Sequence, residues 1–323
     1  YMVNSGVREY IERQMASAGG SDAVSLTIRM VKRSRQSDKP YYDVLTVLAQ
    51  SQSWEVIRTV LEREVIDSGE PGLSIAAELI VESSLVGLVS QEDPYILNIW
   101  RRLKEEGHEL GWMSPCRTDL ERRVGLTRFN VDQPEDEERV DEELLRPCGK
   151  VVELENVDIE EPLFNQLRFG LCGRGDEVFG NMEAALFRAK MPIEPSAELG
   201  NWIRQHFGPL KGSDSDGASV EGRVVEGAVA VQSIMTLPMH GGAYVPGSGH
   251  VYGRFRGWRA LGAIVGTPVD ASFDAVVEAV EKCIWIEFQP NSEWFFDVAW
   301  DCCLGCIREG LKEMFVFAFT DSD

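Results

Sequence analysis

A chain of 323 residues, 44% hydrophobic and 26% charged, has the length and composition to bury a substantial core as one large domain or two. Its 53 acidic residues outnumber 32 basic ones for a formal net charge of −21. That balance excludes general nucleic-acid binding, because phosphate contacts need a surplus of Lys and Arg. An acidic excess keeps a protein soluble and also suits a basic protein partner.

Residues 1–107 read as helices. "DAVSLTIRMVKRSRQ" and "YYDVLTVLAQS" form the first two. In "SWEVIRTVLEREVIDSG", Trp54, Ile57, Val60, Leu61 and Val65 share one face, with Ser53 as N-cap and Gly69 as stop. "LSIAAELIVESSLVGLV" is apolar around most of its circumference, which predicts a helix sandwiched by its neighbours. In "DPYILNIWRRLKEEG", Asp93 caps, Pro94 takes the first turn and Gly107 ends the helix. Short connections between successive helices predict antiparallel hairpins or a solenoid-like stack, although no motif recurs at a fixed period.

Residues 108–162 are expected to form an acidic, irregular connection. Within 132–161, thirteen acidic residues face only Arg139, Arg146 and Lys150, a local balance of −10. Such a block makes a solvated segment or a docking strip for a basic partner.

From residue 163 to 323 helices and strands mix. "NMEAALFRAKM" and "SAELGNWIRQHFG" read as helices, and 211–222 as a Ser/Gly/Asp loop. "RVVEGAVAVQSIM", rich in Val, reads as a strand. "DASFDAVVEAVEKC" reads as an amphipathic helix with Phe273, Val276, Val277 and Val280 inward. The C-terminal stretch contains two or three strands. In "FVFAF", Phe315, Phe317 and Phe319 take one face and Val316 and Ala318 the other, as in a strand buried on both sides, with "REGLKE" as the turn before it. The fold class is therefore α+β: a helical N-terminal half packed on a mixed C-terminal part with a small, mainly antiparallel sheet.

Seven cysteines, an odd number, predict reduced thiols rather than a disulfide framework. In "CCLGC", Cys303 and Cys306 have C-x-x-C spacing, but no second ligand pair accompanies them as a structural zinc site requires. On a strand, Cys302 and Cys306 would share one face and Cys303 the other, as small buried thiols. In "GRGDEVFG" the third glycine is misplaced for a dinucleotide loop and no ribose-binding acid follows, so the stretch reads as a turn and helix cap.

The segment from Thr236 to Gly266 is the strongest candidate for chemistry. Val251, Phe255, Trp258, Leu261 and Val265 recur at helical spacing, so the glycine-rich loop 240–250 delivers the chain into a helix N-terminus. There, backbone N–H groups suit an anion. Gly241, Gly242, Tyr244, Tyr252 and Arg254 are the candidate ligand-binding residues, and His240 and His250 the candidate proton carriers. "HGG" resembles an esterase oxyanion loop, but the G-x-S-x-G elbow is absent. Gly253, Gly257 and Gly262 weaken the expected helix. Asp297 and Asp301, four residues apart on an expected strand, are candidate orienters of a histidine. With Asp321 and Asp323 they also form an edge where a divalent cation is conceivable, though strand ends are commonly dressed in charge. No metal and no cofactor is assigned.

No run of about 18 apolar residues predicts a membrane span, and no apolar segment follows a basic start as a secretion signal would. The expected location is cytoplasmic. The chain opens on Tyr1 rather than Met, so its natural N-terminus is expected upstream. Two readings of function follow. The first is a soluble intracellular binding or interaction protein with a basic partner. The second is an enzyme acting on a small phosphate- or carboxylate-bearing substrate at residues 240–254.

Overall fold

The computed structural model describes residues 20–35, 42–64, 69–124, 143–150, 153–171, 180–211, 222–241, 247–289, 292–296 and 301–321. The fold is α+β, and the chain divides into two compact units. One lies within Tyr1–Asp119 and takes in Gly249–Val251; the other comprises Leu120–Ser248 and Tyr252–Asp323.

The first unit is helical: α1 (Gly20–Arg35), α2 (Tyr42–Ser51), α3 (Trp54–Glu64), α4 (Gly69–Leu85) and α5 (Pro94–Glu105). Helix α5 starts where its sequence directs. The Asp93 carboxylate accepts the Tyr95 N–H at 2.8 Å and the Trp54 indole N–H at 2.7 Å, and Pro94 occupies the first turn. The chain leaves the helix through Gly107 at φ 70°. Ile57, Val60 and Leu61 of α3 are buried as expected, whereas Val65 lies outside the described residues. Helix α4 is buried from Gly72 to Leu85 and is contacted by α1, α2, α3 and α5, the sandwiched position that its apolar circumference implies.

Within 108–162 the described residues are not wholly irregular. They include a 3-10 turn (Glu109–Trp112), α6 (Asp119–Arg123), β1 (Glu143–Leu144), β2 (Leu154–Val157) and the start of α7 (Glu161–Gly170). Thirteen carboxylates do not prevent a strand when a neighbour supplies the ladder; Glu155 of β2, for example, sits opposite Arg188. Residues 125–142, the densest part of the acidic block, and residues 212–221 of the expected loop lie outside the described residues.

The remaining elements of the second unit are β3 (Asn181–Ala189), α8 (Ala197–His206), β4 (Gly222–Val225), α9 (Gly227–His240), α10 (Gly249–Val265), α11 (Phe273–Lys282), β5 (Ile284–Phe288), β6 (Cys302–Ile307) and β7 (Glu313–Thr320). The strands form one antiparallel sheet in the order β1-β4-β5-β6-β7-β3-β2. Strand β7 is buried on both sides. Met314, Val316 and Ala318 join Phe187, Ile286, Phe288, Cys303 and Ile307 in a core covered by Leu199 and Ile203 of α8. Phe315, Phe317 and Phe319 are buried as well, and α10 reaches their side through Arg308, whose guanidinium carbon lies 5.6 Å from the centre of the Phe315 ring. The turn between β6 and β7 uses Gly310 and Leu311 with positive φ, as "REGLKE" predicts.

Two expectations require correction. "NMEAALFRAKM" is strand β3, not a helix: Asn181 to Arg188 pair in register with Thr320 to Glu313 of β7. Met, Glu, Ala and Leu favour a helix locally, but eight positions paired with the buried strand β7 outweigh that preference. "RVVEGAVAVQSIM" is a strand only at its start, in β4, and enters α9 at Gly227. Ala228, Ala230, Val231, Ile234 and Met235 are all buried, so this apolar run belongs to a helix enclosed by its neighbours, which period alone cannot distinguish from a strand.

Candidate functional site

Helix α9 ends at Gly241, whose φ of 89° suits glycine and whose N–H donates to Leu237 O at 2.8 Å. Gly247 and Ser248 lie against the end of α9. The Ser248 N–H donates to Pro238 O at 2.8 Å, and a Cβ on Gly247 would stand 2.5 Å from Met239 O. Gly242 and Tyr244 lie in between, outside the described residues.

Helix α10 forms despite its glycines, and the packing shows why they are there. A Cβ at Gly253 would lie 2.6 Å from Met239 N and Pro238 O, and one at Gly257 2.7 Å from Met235 Sδ. These residues, four apart, let α9 approach backbone to backbone, and the resulting contact offsets a helix-propensity cost of about 1 kcal/mol per glycine. Val251, Phe255, Trp258, Leu261 and Val265 are buried as their spacing predicts.

Arg254 is also buried, with 1% of its surface exposed. Its Nε donates to Glu121 Oε1 at 2.5 Å and its Nη2 to Glu121 Oε2 at 3.0 Å, while the Trp258 indole N–H donates to the same Oε1 at 3.0 Å. Glu121, on α6, is fully buried. The guanidinium carbon stands 6.0 Å from the centre of the Phe273 ring. A bidentate pair with both charges out of water holds the second unit together. The Arg254 guanidinium, an expected anion-binding group, thus meets the Glu121 carboxylate within the second unit. Glu121 escaped sequence reasoning because nothing in "DLERR" separates it from the other acidic residues.

His250 belongs to the first unit. Its Nδ1 lies 3.3 Å from Glu82 Oε2 and 3.5 Å from Thr46 Oγ1. The carboxylate beside this histidine is Glu82. Glu82 is buried on α4, one turn after Glu78, which is also buried and accepts the Ser74 hydroxyl at 3.3 Å. Ser74, Glu78 and Glu82 recur every four residues and so line one side of a helix otherwise surrounded by apolar side chains. The signal was present in the sequence: two carboxylates inside an apolar helical run have to find partners. An imidazole within reach of a buried carboxylate can exchange a proton with it, and Thr46 adds a hydroxyl.

His240 stands in the last turn of α9, partly exposed, and Tyr252 in the first turn of α10. Asp301 Oδ1 accepts the Thr320 hydroxyl at the end of β7. Asp297 and Asp323 lie outside the described residues, and Asp321 is buried. Among the described residues no three His, Cys, Asp or Glu side chains are grouped to hold a metal ion, and no helix is long and apolar enough to cross a membrane.

Sequence reasoning also missed the role of Arg308. Its Nε and Nη2 donate to Ile264 O and Ala263 O in the last turn of α10 at 3.0 and 3.1 Å, and its Nη1 to Glu313 Oε2 at 3.0 Å. A cation on the carbonyl end of a helix is favourable. Although partial burial acts to raise the pKa of the Glu313 carboxyl, the Arg188 and Arg308 guanidinium groups beside it hold that pKa below its ordinary value.

Comparison with curated proteins and with solved structures gives no match. A family model matches residues 3–323, nearly the full chain, so the protein belongs to the DUF6183 family, a family of unknown function.

Proposed function

We propose that this chain is an interaction protein that offers carboxylates to a basic partner. The observation that supports this most directly is the edge of the sheet. Strand β2 ends the strand order, and no strand among the described residues pairs with its outer side. Glu153, Glu155, Asp158, Glu160 and Glu161 are exposed along it and just beyond. An edge strand can accept an added strand through its backbone, and flanking carboxylates would favour one that carries Lys or Arg. The acidic block at 132–143 extends the same charge along the chain. The six described cysteines are free thiols, in keeping with a reducing compartment such as the cytoplasm.

The test is anisotropy of a labelled Lys/Arg-rich peptide titrated with the full chain. Joint replacement Glu153→Gln, Asp158→Asn, Glu160→Gln and Glu161→Gln is expected to weaken binding about 10-fold or more, with a parallel loss on raising salt. Equal affinity of wild type and variant, or no binding by either, removes the reading.

The Glu82–His250 contact supports a second reading, an enzyme acting on a small anionic substrate at residues 240–254. In that scheme the imidazole moves the proton and Glu82 orients it. A thermal-shift screen of phosphorylated and carboxylated metabolites tests it, since a ligand of the native state raises apparent stability. A shift that persists unchanged in His250→Ala, or no shift with any compound, argues against it.

A further inference from the structure

Helix α11 ends at Lys282, and the next residue, Cys283, is extended at φ −75° and ψ 152° before β5 begins. Strand β5 pairs with β6 so that Ile284 faces Ile307 and Trp285 faces Cys306. Continuing that register by one residue sets Cys283 opposite Arg308 and diagonal to Cys306, on the same face of two adjacent strands. A hydrogen bond between the two thiols shifts the ionisation of each. Cys306 is fully buried, and Cys283 is partly exposed.

We propose that Cys283 and Cys306 are a thiol pair that closes reversibly to a disulfide, Cys283 being oxidised first by a hydroperoxide and Cys306 resolving it. The surroundings suit this division of labour. The Cys283 thiol is held below its ordinary pKa by the Cys306 hydrogen bond, then by the Glu309 backbone N–H and the Arg308 guanidinium, against a burial that acts in the opposite direction. Cys306 is pushed well above its ordinary value, first by burial and then by Cys283. The neighbouring thiols do not share this setting: burial pushes Cys302 up to about 12 and Cys303 well above its ordinary value. Arg308 is fixed by the α10 carbonyls and Glu313, so the cation beside Cys283 stays in place.

The steps balance. The Cys283 thiolate attacks the distal oxygen of a hydroperoxide; an S–O bond forms, the O–O bond breaks and the leaving alkoxide or hydroxide takes up a proton. Cys306 then attacks the Cys283 sulfur; the S–S bond forms, the S–O bond breaks, and hydroxide departs as water with the Cys306 proton. Two thiols are oxidised and one peroxide bond is reduced, and a dithiol reverses the disulfide by exchange.

The experiment exposes the full chain to graded hydrogen peroxide, alkylates remaining thiols and maps peptides by mass. The expected product is a linked Cys283–Cys306 peptide pair lacking two hydrogens, abolished by dithiothreitol. Cys283→Ser should remove the link, and Cys306→Ala should leave a sulfenic acid at Cys283 that dimedone traps. Should either variant fail to fold, wild-type alkylation rates decide: Cys283 is expected to react about 10-fold faster than Cys302, Cys303 or Cys306. A Cys283 that is no faster than those three, stays fully alkylatable at doses that oxidise the exposed Cys148, or pairs with a different cysteine overturns the proposal.

Discussion

His250 and Arg254 are one helical turn apart on α10, and each meets a buried carboxylate, but in different ways. Arg254 presents a fork to both oxygens of Glu121, and its pair is sealed from water. His250 meets one oxygen of Glu82 through Nδ1, beside Thr46, with 20% of its side chain exposed. The first arrangement fixes structure, because a permanent charge in a dry site has to keep its partner. The second leaves a titratable ring within reach of solvent, which is where proton chemistry can occur. Burial and geometry, rather than residue type, separate the two.

The largest expected effect comes from breaking the sealed pair. Arg254→Met leaves Glu121 buried and uncompensated, and a loss of about 3–5 kcal/mol is expected in urea unfolding. Adding Glu121→Gln, which keeps an acceptor for the Trp258 indole, should recover most of it. A single variant as stable as wild type would show that the pair is not dry. The glycine contact beside it is next. Gly253→Ala meets the α9 backbone and should cost about 1–3 kcal/mol. Gly257→Ala meets Met235 Sδ at 2.7 Å and its backbone Cα only at 3.3 Å, so it should cost less than Gly253→Ala by the same measurement.

His250→Ala is expected to cost only about 1 kcal/mol, since water can reach its partly exposed site. A loss equal to that of Arg254→Met would erase the contrast. Asp93 supplies a third carboxylate for scale. Burial acts to raise its pKa, but the Trp54 indole, the Tyr95 N–H and Arg58 together hold it below the ordinary 3.8. Because its folded-state pKa is lowered, its contribution is full above pH 3.8 and is lost as pH falls toward and through the folded-state value. Asp93→Ala should thus cost about 1 kcal/mol at pH 7, and the gap from wild type should narrow in acid unfolding below pH 3.8.

Elements with a complete local signal were legible in the sequence. Asp93, Pro94 and Gly107 bound α5 because capping is chemistry within one turn, and "FVFAF" announced a strand buried on both sides because strand side chains alternate. For the candidate site, the buried face of α10 was legible in the same way. The partners of His250 and Arg254 were not, since Glu82 and Glu121 lie 168 and 133 residues away in sequence.

By itself, then, the sequence determined the helical run to Gly107, the α+β class, the acidic balance and the apolar face of α10, all of which depend on neighbours a few residues apart. Tertiary structure alone decided that "NMEAALFRAKM" pairs with β7 as a strand, that "GAVAVQSIM" is helical, that the α10 glycines serve close approach, and that Arg254 meets a carboxylate. In each case a contact between residues far apart in the chain outweighed a weak local preference, and such contacts leave no spacing to read.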